Sequence, residues 1–202
     1  MRVDECVRCK GFPCLDVKHG CYAVPGVELR PEAVSMVMIS EAAAEDLADN
    51  YYAKGKPLFQ RTTVQAFNDA GVPVTSMQDI LDRGIYLTTA IKCGKSGYGI
   101  QGASVRQCSQ LLEKELRLFP NLKALMLMGD VAIKAVNYIA QRAGQPRVIP
   151  PDSTYKIREQ QFFFRGVRVF PSYLQAGLSF FLEKSKRRMI AEDIGHAMHE
   201  LV

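Results

Sequence analysis

Cysteine side chains are the strongest candidates for chemistry in this sequence of 202 residues. The six cysteines are Cys6, Cys9, Cys14, Cys21, Cys93 and Cys108. Thiolates bind zinc ions and iron–sulfur clusters, and paired thiols form disulfides. The first four could form a self-contained zinc knuckle, or they could supply part of a ligand set that the last two complete.

The composition argues against disulfides. The first ten residues have no apolar stretch of the kind found in secretory signals, and no apolar run reaches the roughly 18 residues that a membrane span needs. We therefore expect a soluble, cytoplasmic protein with no membrane partner. In that reducing compartment, the cysteines of a domain this large are expected to be metal ligands, free thiolates or packing residues.

A positive net charge favours a polyanionic partner. The formal net charge is +5, and the densest basic run is "KSKRR" at residues 184–188. Lys184, Lys186 and Arg187 of this run are candidates for nucleic-acid contacts. Charge runs are also typical of a solvated helix face, so both interpretations stay open.

Strands and helices alternate along most of the chain. Short apolar runs predict buried strands at residues 33–40, 85–92 and 122–129. Helical spacing and end signals predict helices at residues 62–71, 76–84, 104–120 and 130–144. This alternation is typical of a parallel sheet with crossover helices.

The pattern changes in the last third of the sequence. Residues 144–155 are rich in proline and turn residues and predict a loop. Residues 156–172 predict two strands around a turn at Arg165-Gly166, and the chain from Leu174 onward is helical and amphipathic.

We predict a single domain over residues 1–202. Its fold class is α/β, a three-layer α/β/α sandwich around a mainly parallel central sheet. The cysteine-bearing segment 1–30 packs on this domain, and a helix over residues 175–202 ends it. In such sheets, ligands bind beyond the carboxyl ends of the strands, so the functional residues are expected directly after positions 40, 92, 129 and 170.

Five short segments in this order give the chain a family resemblance. They are the "CVRC" of residues 6–9, "VMISEAAAED" with "GKPLF", "IYLTTAIKC", "LMLMGDVAIKAV" and "VFPSYLQAG". The chain resembles the iron–sulfur branch of the uracil-DNA glycosylase superfamily, of the family 4 and 5 type, over roughly residues 5–175. The resemblance implies a uracil-DNA-glycosylase-like fold.

The resemblance also implies a four-iron four-sulfur cluster. In that branch, two ligands come from an amino-terminal CxxC, one follows a strand, and one lies on the next helix. The matching residues are Cys6, Cys9, Cys93 and Cys108. Cys14 is an alternative to Cys6 or Cys9, and Cys21 has no counterpart in the pattern.

The active site that the resemblance implies is altered here. Glu41 matches the acidic residue of the family's "GEAPG" motif, but Ala43 and Ala44 replace its proline and second glycine. Thr89 stands where the family has the asparagine that reads the base, and Phe170 replaces the histidine of "HPS". The stacking phenylalanine of the family corresponds to Phe59 or its neighbour, Leu58. The implied base pocket therefore contains Ala43, Ala44, Phe59, Thr89 and Phe170.

These replacements change the expected chemistry. Glycosidic cleavage passes through an oxocarbenium-like transition state. A carboxylate stabilises the positive charge of this state and activates the attacking water. Glu41 is the candidate for both roles. Phe170 donates no hydrogen bond and Thr89 lacks the donor and acceptor pair of an amide, so ordinary uracil specificity is not expected.

We expect a DNA glycosylase that acts on a damaged or modified base, and a monomer. DNA is the expected partner, with RNA as an alternative, and Lys95, Ser172 and Tyr173 join the basic run as candidate contacts. The rival hypotheses are a non-catalytic iron–sulfur module of the same fold that binds nucleic acid, and a zinc knuckle within residues 6–21 on an unrelated α/β enzyme.

Overall fold

A six-stranded sheet forms the centre of the protein in the computed structural model, which describes residues 1–97 and 99–201. Tyr98 and Val202 lie outside the described residues. The strands are β1 (Val17–Lys18), β2 (Met36–Ala43), β3 (Ile85–Lys95), β4 (Ala124–Met128), β5 (Phe162–Phe164) and β6 (Val167–Ser172). Their order is β1-β3-β2-β4-β6-β5, with β3, β2, β4 and β6 parallel and the two outer strands antiparallel.

Helices cover both faces of this sheet. They are α1 (Val3–Cys6), α2 (Leu58–Asp69), α3 (Met77–Asp82), α4 (Gly102–Leu116), α5 (Asp130–Arg142), α6 (Thr154–Ile157), α7 (Ser179–Leu182) and α8 (Lys184–His199). Short 3-10 turns occupy His19–Cys21, Pro31–Ala33 and Leu47–Asp49. The prediction of a three-layer α/β domain with a mainly parallel sheet is confirmed.

Two apolar clusters divide the core. Successive residues of a strand point to opposite faces, so Val37 and Ile39 pack with α4 and α5, whereas Met36 and Met38 pack with α2, α3 and α8. All residues of β2 except Glu41 are buried, as expected for a central strand of a parallel sheet. No helix in the described part of the chain is long and apolar enough to cross a membrane.

The two strands that lead to the expected site are longer than predicted. β2 continues through Ala43 and β3 through Lys95, because their residues go on pairing past a register shift between Ala42 and Ala43. β1 pairs with the end of β3, where Val17 faces Lys95. Glu41 and Cys93 therefore lie within paired strands rather than in loops.

The predicted hairpin near the end of the chain has its turn where expected, but its first strand is shorter than predicted. β5 begins only at Phe162, and Thr154–Ile157 forms α6 instead of a strand. β5 and β6 are antiparallel, and Arg165 and Gly166 between them have φ values of 51° and 81°. Positive φ at both turn residues is typical of the hairpin turns that match the twist of the strands. The hairpin places β6 beside β4, so the end of β6 reaches the same edge of the sheet as β2 and β3.

Candidate active site

A cavity of about 480 Å³ lies at the carboxyl ends of the central strands. Its walls come from the end of β2 and the turn that follows, the start of α2, the end of β3 and the segment after β6. This is the edge of the sheet where the sequence predicted the functional residues. The cavity is therefore the candidate site for a ligand.

Glu41 provides a carboxylate in the wall of this cavity. Its side chain is 15% exposed and forms an ion pair with the ammonium group of Lys95. Gly129, the residue before α5, lies against this carboxylate, with a φ of 93° and a ψ of 170°. The absence of a side chain at Gly129 leaves the space that the Glu41 carboxylate fills.

The turn after β2 is fixed by hydrogen bonds from its backbone. Ala44 N–H donates to Asn50 Oδ1 at 3.0 Å, and Ala48 N–H donates to Asp46 Oδ1 at 2.9 Å. Leu58 N–H donates to Asp49 Oδ1 at 2.9 Å, which stabilises the start of α2. This arrangement brings the ring of Phe59 into the wall of the cavity.

Three residues of the predicted base pocket meet in this cavity. Ala43, Ala44 and Phe59 line it, and Phe59 packs against Tyr51 with ring centroids 5.1 Å apart. Leu58, the alternative to Phe59, lines the cavity as well. The small side chains at positions 43 and 44 leave room beside an aromatic ring.

The other two predicted pocket residues lie elsewhere. Thr89 donates its hydroxyl to Ile91 O at 2.8 Å and lines a separate cavity of about 170 Å³ beside Tyr51 and Tyr52. Phe170 is buried in the core, and the guanidinium group of Arg168 lies 4.6 Å from its ring centroid. Neither residue is among the described residues that line the larger cavity.

The end of β6 is tied to the carboxy-terminal helix. Ser172 is fully buried and donates its hydroxyl to Asp193, which also pairs with Arg158 at 2.8 Å. Burial raises the pKa of Asp193 to about 6, although the hydrogen bonds from Ser172 and Arg158 act in the opposite direction. Gly129 N–H donates to Ser172 O at 3.0 Å, so this cluster also supports the residue beside Glu41. Ser172 is thus not exposed for contact with a nucleic acid.

The predicted basic contacts lie at the start of α8. Lys184 and Lys186 are exposed, Lys186 pairs with Glu183, and Arg187 pairs with Asp69. The Lys186 ammonium group lies 5.7 Å from the ring centroid of Tyr173. These side chains form a mixed surface with acidic partners, and Lys184 has no acidic partner among the described residues.

A further cavity, of about 210 Å³, is lined by cysteines, and we refer to it as the cysteine cavity. Its walls include Cys9, Cys14, Cys93 and Cys108. Cys6 is exposed on α1 and is not among the lining residues. Positive φ values at Gly11 and Phe12 turn the chain between Cys9 and Cys14.

The amino-terminal segment is anchored beside the cysteine cavity. Gln101 N–H and the hydroxyl of Ser104 both donate to the carboxylate of Asp16, which ties the segment to the start of α4. Cys9 N–H donates to the Tyr22 hydroxyl at 3.0 Å. Cys21 lies apart, where its thiol donates to Glu45 O at 3.0 Å.

The two inner thiols have strongly perturbed acidity. Burial raises the pKa of Cys93 to about 12 and that of Cys108 to about 11, with smaller contributions from the neighbouring cysteines. Lys92 N–H donates to Cys108 Sγ at 3.3 Å. Burial thus favours the neutral thiol form of both groups.

The amino-acid sequence matches a family model. The model of the uracil DNA glycosylase superfamily covers residues 29–194. The chain belongs to that superfamily. Membership indicates a DNA glycosylase-type function with DNA as the partner, and both the sheet topology and the cavity at its carboxyl edge agree with it. No curated protein sequence matches the chain.

The superfamily match does not extend to the cysteines of the amino-terminal segment, which precede residue 29. Within residues 1–97 and 99–201, no group of three or more histidine, cysteine, aspartate or glutamate side chains is arranged to hold a metal ion. The ligands of one ion surround a single point, whereas each thiolate of a four-iron cluster binds a different iron. The four cysteines that line this cavity are therefore not arranged as the ligands of a single ion in the described part of the chain.

Sequence reasoning missed three features of this superfamily member's site. Leu178 is 67% exposed at the rim of the larger cavity. The sequence predicts a helix from Leu174 onward, but α7 begins only at Ser179, so Leu178 lies before it. Asp49 faces the cavity from the turn after β2. Gly129 ends the third predicted strand. A glycine between a strand and a helix indicates that another group packs closely against the backbone there, and this signal could have identified Gly129.

Proposed function

We propose that this protein hydrolyses the N-glycosidic bond of a damaged or modified base in DNA. The observation that carries this proposal is the Glu41 carboxylate, which Lys95 and Gly129 hold in the wall of a cavity at the carboxyl edge of the sheet. Superfamily membership supplies the reaction type, and the cavity supplies a place for a base that has left the DNA stack.

The cavity offers a flipped base an apolar part of its wall, next to the carboxylates. Phe59 offers an aromatic surface for stacking, and Ala43 and Ala44 leave space on the side of the turn. Leu178, exposed at the rim, is placed to insert into the gap that the flipped nucleotide leaves in the duplex. Together these residues would lower the cost of holding the base outside the helix.

Glu41 then acts on the sugar side of the base. Its carboxylate accepts a proton from a water molecule as the water oxygen bonds to C1′ of the sugar. The bond from C1′ to the base nitrogen breaks, and its electron pair leaves with the base. The negative charge of Glu41 stabilises the positive charge that develops on the sugar, and Lys95 holds the carboxylate in place.

Ordinary uracil specificity is not part of this proposal. The Thr89 hydroxyl is engaged by a backbone carbonyl, and Phe170 is buried away from the cavity. A site without hydrogen-bond partners for the base edge loses discrimination by orders of magnitude. The absence of Thr89 and Phe170 from the described lining of the cavity therefore supports a base other than uracil.

We also propose that the cysteine cavity holds a four-iron four-sulfur cluster. Cys9, Cys14, Cys93 and Cys108 would be its ligands, with Cys14 replacing Cys6, which is exposed outside the cavity. When bound, the cluster would supply a structural cross-link between the amino-terminal segment, β3 and α4. The thiols of Cys93 and Cys108 would have to lose their protons on binding.

Base release under single-turnover conditions tests the enzymatic proposal. The protein is incubated with duplex oligonucleotides that carry uracil, hypoxanthine, xanthine or alkylated purines, and abasic product is measured. Glu41→Gln is expected to lower release by at least about 100-fold, because the carboxylate is lost while the side-chain shape is kept. Glu32→Gln is the control, because Glu32 is exposed and precedes β2, at the end of that strand opposite to Glu41.

One outcome would favour the non-catalytic module. If none of these oligonucleotides yields abasic product while the protein still binds DNA, the proposed hydrolysis is wrong. Equal rates of base release by the wild type and Glu41→Gln would support the glycosylase reaction but contradict the proposed role of Glu41 in it.

A further inference from the structure

The walls of the larger cavity carry excess negative charge. Glu41, Glu45, Asp46 and Asp49 line it, and Lys95 supplies the one ammonium group among its described lining residues. Lys95 is already paired with Glu41, and Glu45 pairs with Lys18 on the exposed side. Asp46 and Asp49 accept hydrogen bonds from backbone N–H groups but have no basic partner among the described residues.

The same walls are poor in hydrogen-bond donors. The remaining described side chains that line the cavity are those of alanine, leucine and phenylalanine. Lys95 is thus the side-chain donor that faces the cavity, and it is engaged by Glu41. A base that enters finds an aromatic ring, small apolar groups and carboxylates.

This combination is unfavourable for a neutral base as leaving group. Uracil or hypoxanthine departs with the electron pair of the glycosidic bond and becomes an anion, which requires donors to stabilise it. Here the anion would form beside several carboxylates and without a free donor. The charge of the walls would raise the barrier for such a base.

A base that is already cationic avoids this difficulty. Alkylation of a purine at a ring nitrogen such as N7 or N3 places a positive charge on the base. When the bond to C1′ breaks, the electron pair neutralises that charge, and the base leaves as a neutral molecule. No donor is needed, and a carboxylate-rich wall attracts the base before the bond breaks.

We propose that the preferred substrate is a cationic N-alkylated purine, such as 7-methylguanine in DNA. This inference rests on the proposed glycosylase function and concerns the base that the same cavity accepts. The cation would stack on Phe59, whose ring face attracts positive charge, with Asp49 and Asp46 close by. A cavity of about 480 Å³ has room for the two fused rings of a purine.

The balance of the reaction needs only water. The water oxygen bonds to C1′ and its proton passes to Glu41, while the bond from C1′ to N9 breaks. Its electron pair goes to the purine ring, which loses its positive charge. The products are an abasic sugar and the neutral alkylated base.

The test compares charged and uncharged bases in one sequence context. Single-turnover release is measured from duplexes that carry 7-methylguanine, uracil or hypoxanthine at the same position, and spontaneous loss of 7-methylguanine is subtracted with a sample lacking protein. We expect 7-methylguanine to be released at least about 100-fold faster than the two neutral bases, the factor typical of losing one stabilising donor.

A charge-removing variant separates attraction from shape. Asp49→Asn keeps the oxygen that accepts from Leu58 N–H but removes one negative charge from the wall. We expect release of 7-methylguanine to fall about 10-fold, which corresponds to about 1.4 kcal/mol, with no fall for a neutral base. Asp79→Asn, the same change at the third residue of α3, where the carboxylate completes the capping box with Ser76, is the matched control.

The outcomes distinguish this inference from the proposed function. Faster release of uracil or hypoxanthine than of 7-methylguanine would overturn the preference for a cation while leaving the glycosylase intact. Release of none of the bases would overturn both. If Asp49→Asn releases 7-methylguanine as fast as the wild type, the negative charge of the cavity wall is not the cause of the preference for a cationic base.

Discussion

Gly129 lies directly against the carboxylate of Glu41. A methyl group on the α-carbon of Gly129 would come within 2.7 Å of Oε1 and 3.0 Å of Cγ of Glu41. The φ of 93° and ψ of 170° at this position belong to a region that is essentially restricted to glycine. One residue therefore meets two demands, a backbone conformation at the start of α5 and space for an acidic side chain.

Gly129→Ala should lower both stability and base release. The backbone conformation costs a non-glycine residue about 1–3 kcal/mol, and the new methyl group displaces the Glu41 carboxylate. We expect release of the preferred base to fall by at least about 10-fold, since a small displacement of a catalytic group is enough for such losses. Single-turnover kinetics and urea denaturation measure the two effects.

Gly166→Ala separates those two effects. Gly166 has a φ of 81° in the turn between β5 and β6, and no atom lies within 4 Å of the position of an added methyl group. This variant should lose stability but keep its rate of base release. Equal rates for Gly129→Ala and Gly166→Ala would contradict the role of Gly129 as the residue that makes room for Glu41.

Leu178→Ala should impair activity on duplex DNA more than on single strands. The side chain is 67% exposed at the rim of the cavity, where it can fill the gap left by a flipped nucleotide. A single strand has no such gap to fill, so its rate should change little. The measurement is base release from the same modified sequence in both forms.

Leu182→Ala is the control for exposed leucine. Leu182 is 79% exposed on α7 but is not among the residues that line the cavity. Its replacement should leave both rates unchanged. A loss of the same size in Leu182→Ala would show that the effect belongs to the apolar surface as a whole.

Cys14→Ser and Cys6→Ser should differ in cluster content. Cys14 lines the cavity with Cys9, Cys93 and Cys108, whereas Cys6 is exposed on α1. We expect anaerobically purified Cys14→Ser to lose the broad absorption near 400 nm and most of its iron, and Cys6→Ser to keep both. The reverse result would restore Cys6 as a ligand, and a colourless, zinc-loaded wild type would replace the cluster by a zinc site.

The buried carboxyl of Asp193 should make stability depend on pH. Burial raises its pKa from 3.8 to about 6, so between these values the folded protein keeps a proton that the unfolded chain loses. The free energy of unfolding due to this group therefore falls as the pH rises from about 4 to 6, by about 3 kcal/mol. Urea denaturation of the wild type and Asp193→Asn across this range should show that difference.

A second aspartate gives the opposite sign. Hydrogen bonds from Thr75 and Ser76 lower the pKa of Asp79 to about 2, so its stabilising contribution is present above about pH 4 and is lost as the pH falls toward 2. The difference in the free energy of unfolding between wild type and Asp79→Asn should therefore decrease as the pH falls from 4 toward 2. For Asp193, a difference in the free energy of unfolding between wild type and Asp193→Asn that stays constant from pH 4 to 6 would contradict the raised pKa of this carboxyl.

Lys92→Met should strongly destabilise the fold. Lys92 and Glu115 form a fully buried ion pair, and Glu115 also accepts hydrogen bonds from Tyr86 at 2.7 Å and Thr88 at 2.8 Å. Removing the cation leaves a buried charge without its partner, which costs about 3–5 kcal/mol. The double variant Lys92→Met/Glu115→Gln should recover part of this loss in urea denaturation, and a double variant as unstable as the single one would contradict the ion-pair explanation.

The fold could be predicted from the sequence because its signals are local. The apolar runs that become β2, β3 and β4 and the periodic segments that become α4 and α5 are long and regular. The bounds of β2 and β3 could not be predicted, since their extension depends on pairing with each other and with β1. That pairing moved Glu41 from a loop into a strand.

The site was less predictable because it depends on side-chain direction. Counting along the chain placed Thr89 in the base pocket, but Thr88 and Thr89 both line the smaller cavity beside Tyr51 and Tyr52. Glu41 and Phe59 line the same cavity because Glu41 lies near the carboxyl end of β2 and Phe59 lies in the first turn of α2. Spacing alone could not choose between Cys6 and Cys14, since the turn at Gly11 and Phe12 decides which thiols face the cavity.

The wide separation of the four lining cysteines along the chain sets an order of events during synthesis. Cys9 and Cys14 leave the ribosome long before Cys108, which lies past the middle of the chain. For the proposed cluster, the early thiols would have no complete set of partners until Cys108 emerges and α4 forms, and until then they would be open to oxidation or to capture of a zinc ion. Assembly of the proposed cluster would therefore depend on the timing of translation and on the metals available to the nascent chain.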